Sequence, residues 1–241
     1  MKIGLFIKNN WIYIAQFLFM GFIFFLMPPI GDRLMEGKEW YLMETPIRYL
    51  WAQLGWLQTT NGRVVSNIFS FVVDRNIIVR SIIDAGMVTL ISYYSFKMSN
   101  IKTNSVRVMS VICISIVSWS IKLEVYFYAA TLYISASLLL VLLCYFLKRE
   151  WEENIDLSNI VVPIVLFASI WLENISMAVI AITGSILVYS YIKNRVIEKR
   201  NLIYFGISLL GFLFMLGSMY FATASRLTKT ESTGTMNGFN I

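Results

Sequence analysis

The chain has 241 residues, 58% of them hydrophobic and 14% charged, with a mean hydropathy of +0.68. A soluble globular domain is about half apolar and about a quarter charged, so this balance excludes an ordinary water-soluble fold and calls for lipid. The net charge of +6 does not signal nucleic acid, because the basic residues fall in short clusters between apolar runs and not on one soluble face.

Only helices and closed barrels satisfy every backbone amide within a bilayer, and the apolar runs here are long and lack barrel-like alternation. The expected fold is therefore all-α, a polytopic transmembrane helical bundle forming a single transmembrane domain over 1–241. The first run, Trp11 to Ile30, is longer than a signal-peptide core and has no small-residue cleavage site after it. It reads as a retained first span. Gly31 to Arg63 is polar but carries Trp40, Tyr41, Tyr49, Trp51 and Trp56. Trp and Tyr favour the headgroup level, so this stretch is expected to form short interfacial helices, and 31–76 as a whole an extracytoplasmic interfacial loop.

Apolar runs then follow at Ile77–Phe96, Val106–Ile121, Val125–Leu147, Leu157–Leu172, Ile175–Ile192 and Leu202–Ala224. The total is roughly seven spans of about 20 residues, the third and fifth somewhat short. With alternating spans, Lys2 and Lys8, then Lys97, Lys102 and Arg107, then Lys148 and Arg149, then Lys193, Arg195, Lys199 and Arg200 share one side. The positive-inside rule makes that side cytoplasmic and the protein a multi-pass protein of a cell membrane. The polar tail 228–241 is expected to be poorly ordered.

The chain contains no histidine, which excludes a His-containing zinc site, a Ser-His-Asp triad and a Cys-His pair. Cys113 and Cys144 lie inside apolar runs and read as fillers. Asp32 stands where the first span leaves the membrane, in Pro28-Pro29-Ile30-Gly31-Asp32-Arg33. A carboxylate there can act as a general base for a hydroxyl acceptor or bind a divalent cation beside a phosphate leaving group. The plainer alternative is a loop acid paired with Arg33. Arg80 and Asp84, four apart within a span, share a helical face and can neutralise each other, whether for function or simply to let the helix insert. Glu124 and Glu173 sit at expected outer turns, as helix-terminal acids or as groups pointing into a cavity shared with Asp32 and Arg63. Arg63, in Asn61-Gly62-Arg63 ahead of a helix, can grip a phosphate with its bidentate fork.

The order Ile30-Gly31-Asp32, an interfacial aromatic segment, Thr60-Asn61-Gly62-Arg63-Val64-Val65-Ser66-Asn67, and later Trp171-Leu172-Glu173-Asn174-Ile175-Ser176 resembles bacterial polytopic membrane proteins related to GtrII-type O-antigen glucosyltransferases. Those are similar to the GT-C class of enzymes that use lipid-phosphate-linked sugars. Against the family pattern, an acidic pair is reduced to Asp32, an aromatic turn corresponds to Glu124 through Tyr133, and Tyr220 to Arg226 replaces a Pro-Gly-Asn segment while keeping Arg226. The resemblance implies a bacterial cell membrane and a polyprenyl-phosphate-linked sugar as donor, with a cell-envelope glycan as acceptor on the outer face. It also implies Asp32 as catalytic base, with Arg63, Glu124, Glu173, Asn174 and Arg226 binding substrate.

Two rival readings remain beside this one: a non-enzymatic transport or partner-binding subunit with a membrane protein partner, and a purely structural bundle. The enzyme reading expects Asp32, Arg63 and Glu173 to meet at the outer headgroup level. A pathway expects polar groups through the midplane, and a structural bundle expects no sizeable cavity.

Overall fold

The computed structural model describes residues 2–26, 73, 76–100, 103–124, 128–153, 161–169 and 173–232. The described residues form seven helices and no strand: α1 Lys2–Leu26, α2 Ile77–Met98, α3 Asn104–Glu124, α4 Tyr128–Glu153, α5 Val161–Ser169, α6 Glu173–Asn194 and α7 Lys199–Ser232. Four of them contain stretches long and apolar enough to cross a membrane: Asn9–Leu26, Ile77–Met98, Ile175–Lys193 and Lys199–Gly217. The apolar part of α3, Asn104–Ser120, is shorter. α5, with nine residues, rises only about 13 Å, less than half the hydrocarbon thickness. Roughly seven full spans were expected; among the described residues four helices qualify, and the third, fourth and fifth runs, in α3, α4 and α5, are not among them. The tail expected from 228 continues as helix to Ser232, and nearly all of the expected interfacial loop 31–76 lies outside the described residues.

The chain divides into two compact units, Met1–Leu42 with Phe69–Val165, and Met43–Ile68 with Leu166–Ile241, the division falling within α5. In the first unit, α2 packs on α1, α3 and α4. Contacts along α1 and α2 run in opposite senses, from Tyr13 on Tyr93 through Gln16 on Ser92 to Phe24 on Arg80, so these two helices are antiparallel. Asn9 with Arg107 and Gln16 with Ser115 make α1 and α3 parallel. Tyr94 with Tyr145 and Met98 with Lys148 do the same for α2 and α4. The unit is thus an up-down-up-down bundle, whose core joins Met20 and Phe24 of α1, Ala85, Met87 and Val88 of α2, and Ile134 of α4. Gly21 lies against Ala85 at a distance that a Cβ on the glycine would place at 3.7 Å, a small-residue contact that brings the two backbones close.

Local chemistry fixes the ends of α2. The Asn76 side chain accepts from the amides of Ile78 at 2.8 Å and Val79 at 3.4 Å, satisfying donors that the first helical turn leaves open. At the other end Asn100 adopts φ 55°, the left-handed conformation that stops a helix and that asparagine tolerates.

In the second unit, α6 and α7 form an antiparallel hairpin. Ser176 meets Met215 near one end, and Thr183 meets Ser208 at 2.8 Å further along. Gly184 faces the Phe205 ring so closely that a Cβ there would stand 3.3 Å from it. Arg195, at φ 54°, ends α6. Glu198 opens α7, its carboxylate accepting from Arg200 at 3.2 Å and Asn201 at 3.5 Å, and its negative charge lies at the positive end of the helix dipole.

Candidate functional site

Each unit has a basic end. In the first it gathers the start of the α1 span, the end of α2, the start of α3 and the end of α4. There Arg107 donates to the Asn9 carbonyl at 3.2 Å and Lys148 to the carbonyl of Met98, the last residue of α2. Cations are favourable at the carbonyl end of a helix, so Lys148 satisfies both a bond and a dipole. Lys97 lies over the rings of Tyr93 and Tyr145 at 5.6 and 5.3 Å, Arg107 over Tyr13 and Phe96 at 6.0 Å each, and Arg149 over Tyr145 at 5.8 Å. Tyr13, Tyr93, Tyr94, Tyr145 and Phe146 touch in sequence with centroids 4.9 to 5.5 Å apart. Amphipathic rings and long cations of this kind mark a membrane–water boundary. In the second unit Lys193, Arg195, Lys199 and Arg200 crowd the tip of the hairpin. Within the first unit Lys97 and Arg107 are therefore brought together with Lys148 and Arg149, and within the second Lys193, Arg195, Lys199 and Arg200 share the hairpin tip.

The helix ends opposite these basic clusters carry the sequence-derived candidates whose backbone is described. Glu124 is the last residue of α3, at the non-basic end of the first unit. Glu173 and Asn174 open α6, and Arg226 lies in the last part of α7, both at the end of the hairpin away from its basic tip. The expected outer turn at Glu173 and Asn174 is thus a helix start. Asp32 and Arg63 lie outside the described residues. Among the described residues no cluster of three or more His, Cys, Asp or Glu side chains could hold a metal ion. Comparison with family models, curated proteins and solved structures returns no match.

Inside the first unit two polar layers cross the bundle. Near the non-basic end Arg80 and Asp84, 3% and 0% exposed, lie on the buried face of α2, as their four-residue spacing requires. Arg80 Nη2 donates to the Phe24 carbonyl at 3.4 Å, in the last turn of α1, where carbonyls lack helical partners. Nearer the basic end lies a layer the sequence reading missed. Gln16, 4% exposed, donates through Nε2 to Ser92 Oγ at 2.8 Å, to Ser115 Oγ at 2.9 Å and, more weakly, to the Val111 carbonyl at 3.4 Å. Ser92 and Ser115 donate their own hydrogens to the carbonyls of Val88 and Val111, so their oxygens are free to accept from the amide. One side chain of α1 thereby ties α2 and α3 together. Its available signal was a lone amide in the middle of an apolar run, which in lipid must find partners.

Gln16 also lines a groove of about 470 Å³ between α1 and α3, whose other walls are Trp11, Ile12, Ala15, Phe19, Met20, Ile23, Val108, Val111, Ile112, Ser115, Ile116 and Trp119. Apart from Gln16 and Ser115 the lining is carbon and indole. The Gln16 carbonyl oxygen, Oε1, is buried and has no hydrogen-bond partner among the described residues.

Proposed function

We propose that this chain is a membrane-embedded glycosyltransferase-like protein that transfers a sugar from a polyprenyl-phosphate donor to a cell-envelope glycan on the outer face of a bacterial cell membrane. The observation that supports it is positional: Glu124, Glu173, Asn174 and Arg226 all occupy helix ends remote from the Lys and Arg clusters of their own unit. By the positive-inside rule those ends are extracytoplasmic, the level at which a lipid-linked phosphate presents its sugar. In this reading the donor's isoprenoid tail stays in hydrocarbon and Arg63 and Arg226 hold the phosphate. Asp32 accepts the proton of the attacking hydroxyl, and Glu124, Glu173 and Asn174 orient the sugar. The phosphate departs with the bonding electrons of the glycosidic carbon–oxygen bond, so no histidine or covalent triad is needed.

The test is turnover of purified protein with a panel of polyprenyl-phosphate sugars. Asp32→Asn should lower the rate by about 100-fold or more, and Arg63→Ala should weaken donor binding. Absence of turnover with every donor, or full activity in both variants, defeats the reading.

A second reading, a partner-binding membrane subunit without catalysis, is favoured by one specific observation: the buried amide of Gln16 beside an open apolar groove.

A further inference from the structure

We propose that the basic end of the first unit binds an anionic phospholipid of the surrounding bilayer, Arg107 holding its phosphate and the groove between α1 and α3 taking one of its acyl chains. The inference goes beyond the transfer reading, which concerns the opposite helix ends, and it competes with the partner-binding reading for the groove.

Charge comes first. Arg107 lies over the Tyr13 and Phe96 rings and donates through Nη1 to the Asn9 carbonyl. A guanidinium carries five N–H donors, and among the described residues that of Arg107 has this one acceptor and no carboxylate. The bond lies at the surface of the unit, whereas Nε is buried. The donors left for a ligand are therefore those of the Nη nitrogens. Lys97, over Tyr93 and Tyr145, likewise has no carboxylate partner among the described residues. The described acids at this end are Glu152, 3.6 Å from Lys148, and Glu150, buried on α4. α3 begins here with no acid in its first turn, so its dipole adds to the same positive field.

Depth selects the anion. Arg107 stands in the first turn of the apolar part of α3, Asn104–Ser120, and Lys97 next to the last residue of the α2 stretch, Ile77–Met98. Both belong to the headgroup level, where the phosphates of a bilayer lie. The rings around them are already engaged by the protein's own cations, so the ammonium of a choline lipid would meet like charge there. The surface calls for a headgroup that carries phosphate without a cation.

Width selects the tail. Arg107 immediately precedes Val108, and Asn9 lies two residues ahead of Trp11; Val108 and Trp11 are the first groove residues on their helices. A phosphate on Arg107 therefore stands at the head of the groove. Along α1 the groove runs from Trp11 to Ile23, about 18 Å, close to the depth of one leaflet. Its 470 Å³ spread over that length makes a channel about 6 Å across, whereas a helix with its side chains measures about 10–12 Å. Such a channel accepts a hydrocarbon chain and is too narrow for a helix.

The experiment uses the full chain reconstituted in phosphatidylcholine vesicles doped with one of two photoreactive lipids, a phosphatidylglycerol or a phosphatidylcholine, each with a diazirine midway along one acyl chain. After irradiation, peptide mapping should find about fivefold more phosphatidylglycerol than phosphatidylcholine on residues 11–23 and 108–119. Arg107→Gln should bring the two yields level. Because Arg107 also braces α3 on α1, Ala15→Phe provides a variant that leaves it in place: it narrows the groove from an exposed position and should lower the phosphatidylglycerol yield there. Lys199→Gln, in the second unit, should change neither yield. Equal yields from the two lipids on the native chain, or a preference that survives Arg107→Gln, overturns the proposal. So does a preference that Lys199→Gln abolishes as fully, which would reduce it to diffuse surface charge. Displacement by soluble glycerophosphoglycerol would make the ligand a free phosphate ester, and absence of label from the groove would return it to a partner helix; either result also overturns the proposal.

Discussion

The two units solve the same problem, holding helices together in lipid, with different means. In the four-helix unit α2 is enclosed by α1, α3 and α4, and this enclosure lets it carry Arg80, Asp84 and Ser92 at 3% exposure or less. The α6–α7 hairpin has one described interface, and the polar side chains buried in it are Ser176, Thr183, Ser190 and Ser208, with Asn201 near the basic tip, beside Val179, Tyr204 and Met215. Ringing a helix with neighbours permits ionisable groups at membrane depth, whereas in a hairpin with large outward faces, such as Leu210, Leu213 and Phe214, the polar side chains buried among the described residues are uncharged.

That contrast can be broken deliberately. The largest effect is expected from Asp84→Leu, which removes the carboxylate one turn from the buried Arg80 guanidinium and should destabilise the first unit by about 3–5 kcal/mol. Arg80→Leu combined with Asp84→Leu should recover most of that loss. Unfolding of these two variants in mixed micelles measures both effects, and a double variant as weak as the single one would mean that the two charges do not depend on each other. Gln16→Leu should cost about 1–2 kcal/mol in the same assay, reflecting two good hydrogen bonds between helices. In the hairpin, Thr183→Val with Ser208→Ala should cost only about 0.6 kcal/mol; a loss as large as that of Gln16→Leu would erase the distinction between the units. Smallest of all, Arg195→Asn should raise stability by less than about 0.5 kcal/mol, since asparagine tolerates the left-handed backbone at this turn better than arginine. A lowered transition temperature would show that the Arg195 side chain has a structural role beyond its backbone.

Helix class and membrane character were legible from composition, because continuous apolar runs leave the backbone no other way to satisfy its hydrogen bonds. The starts of α2 and α6 were legible to within a few residues for the same reason, and so was the sharing of one bundle end by Lys97, Arg107 and Lys148. Span number was less legible. The run Leu157–Leu172 is mostly apolar, and within it Val161–Ser169 is helix; Pro163 sits in its first turn, where a missing amide hydrogen is tolerated. Gln16 escaped notice because its significance lies in two serines far along the chain, and no local pattern links them. Arg80 and Asp84 were visible because their spacing places both on one helix face.

The bonds of Gln16 have a consequence for biosynthesis. Its partners Ser92 and Ser115 follow it by 76 and 99 residues. When α1 first enters the bilayer its amide therefore has nothing to bond with, and it stays so until two further helices have been made and delivered. At a synthesis rate of about 5–20 residues per second, that wait is on the order of 5–20 seconds. Throughout it the nascent helix carries an adhesive polar spot in hydrocarbon, one that the insertion machinery must shield from the wrong neighbour.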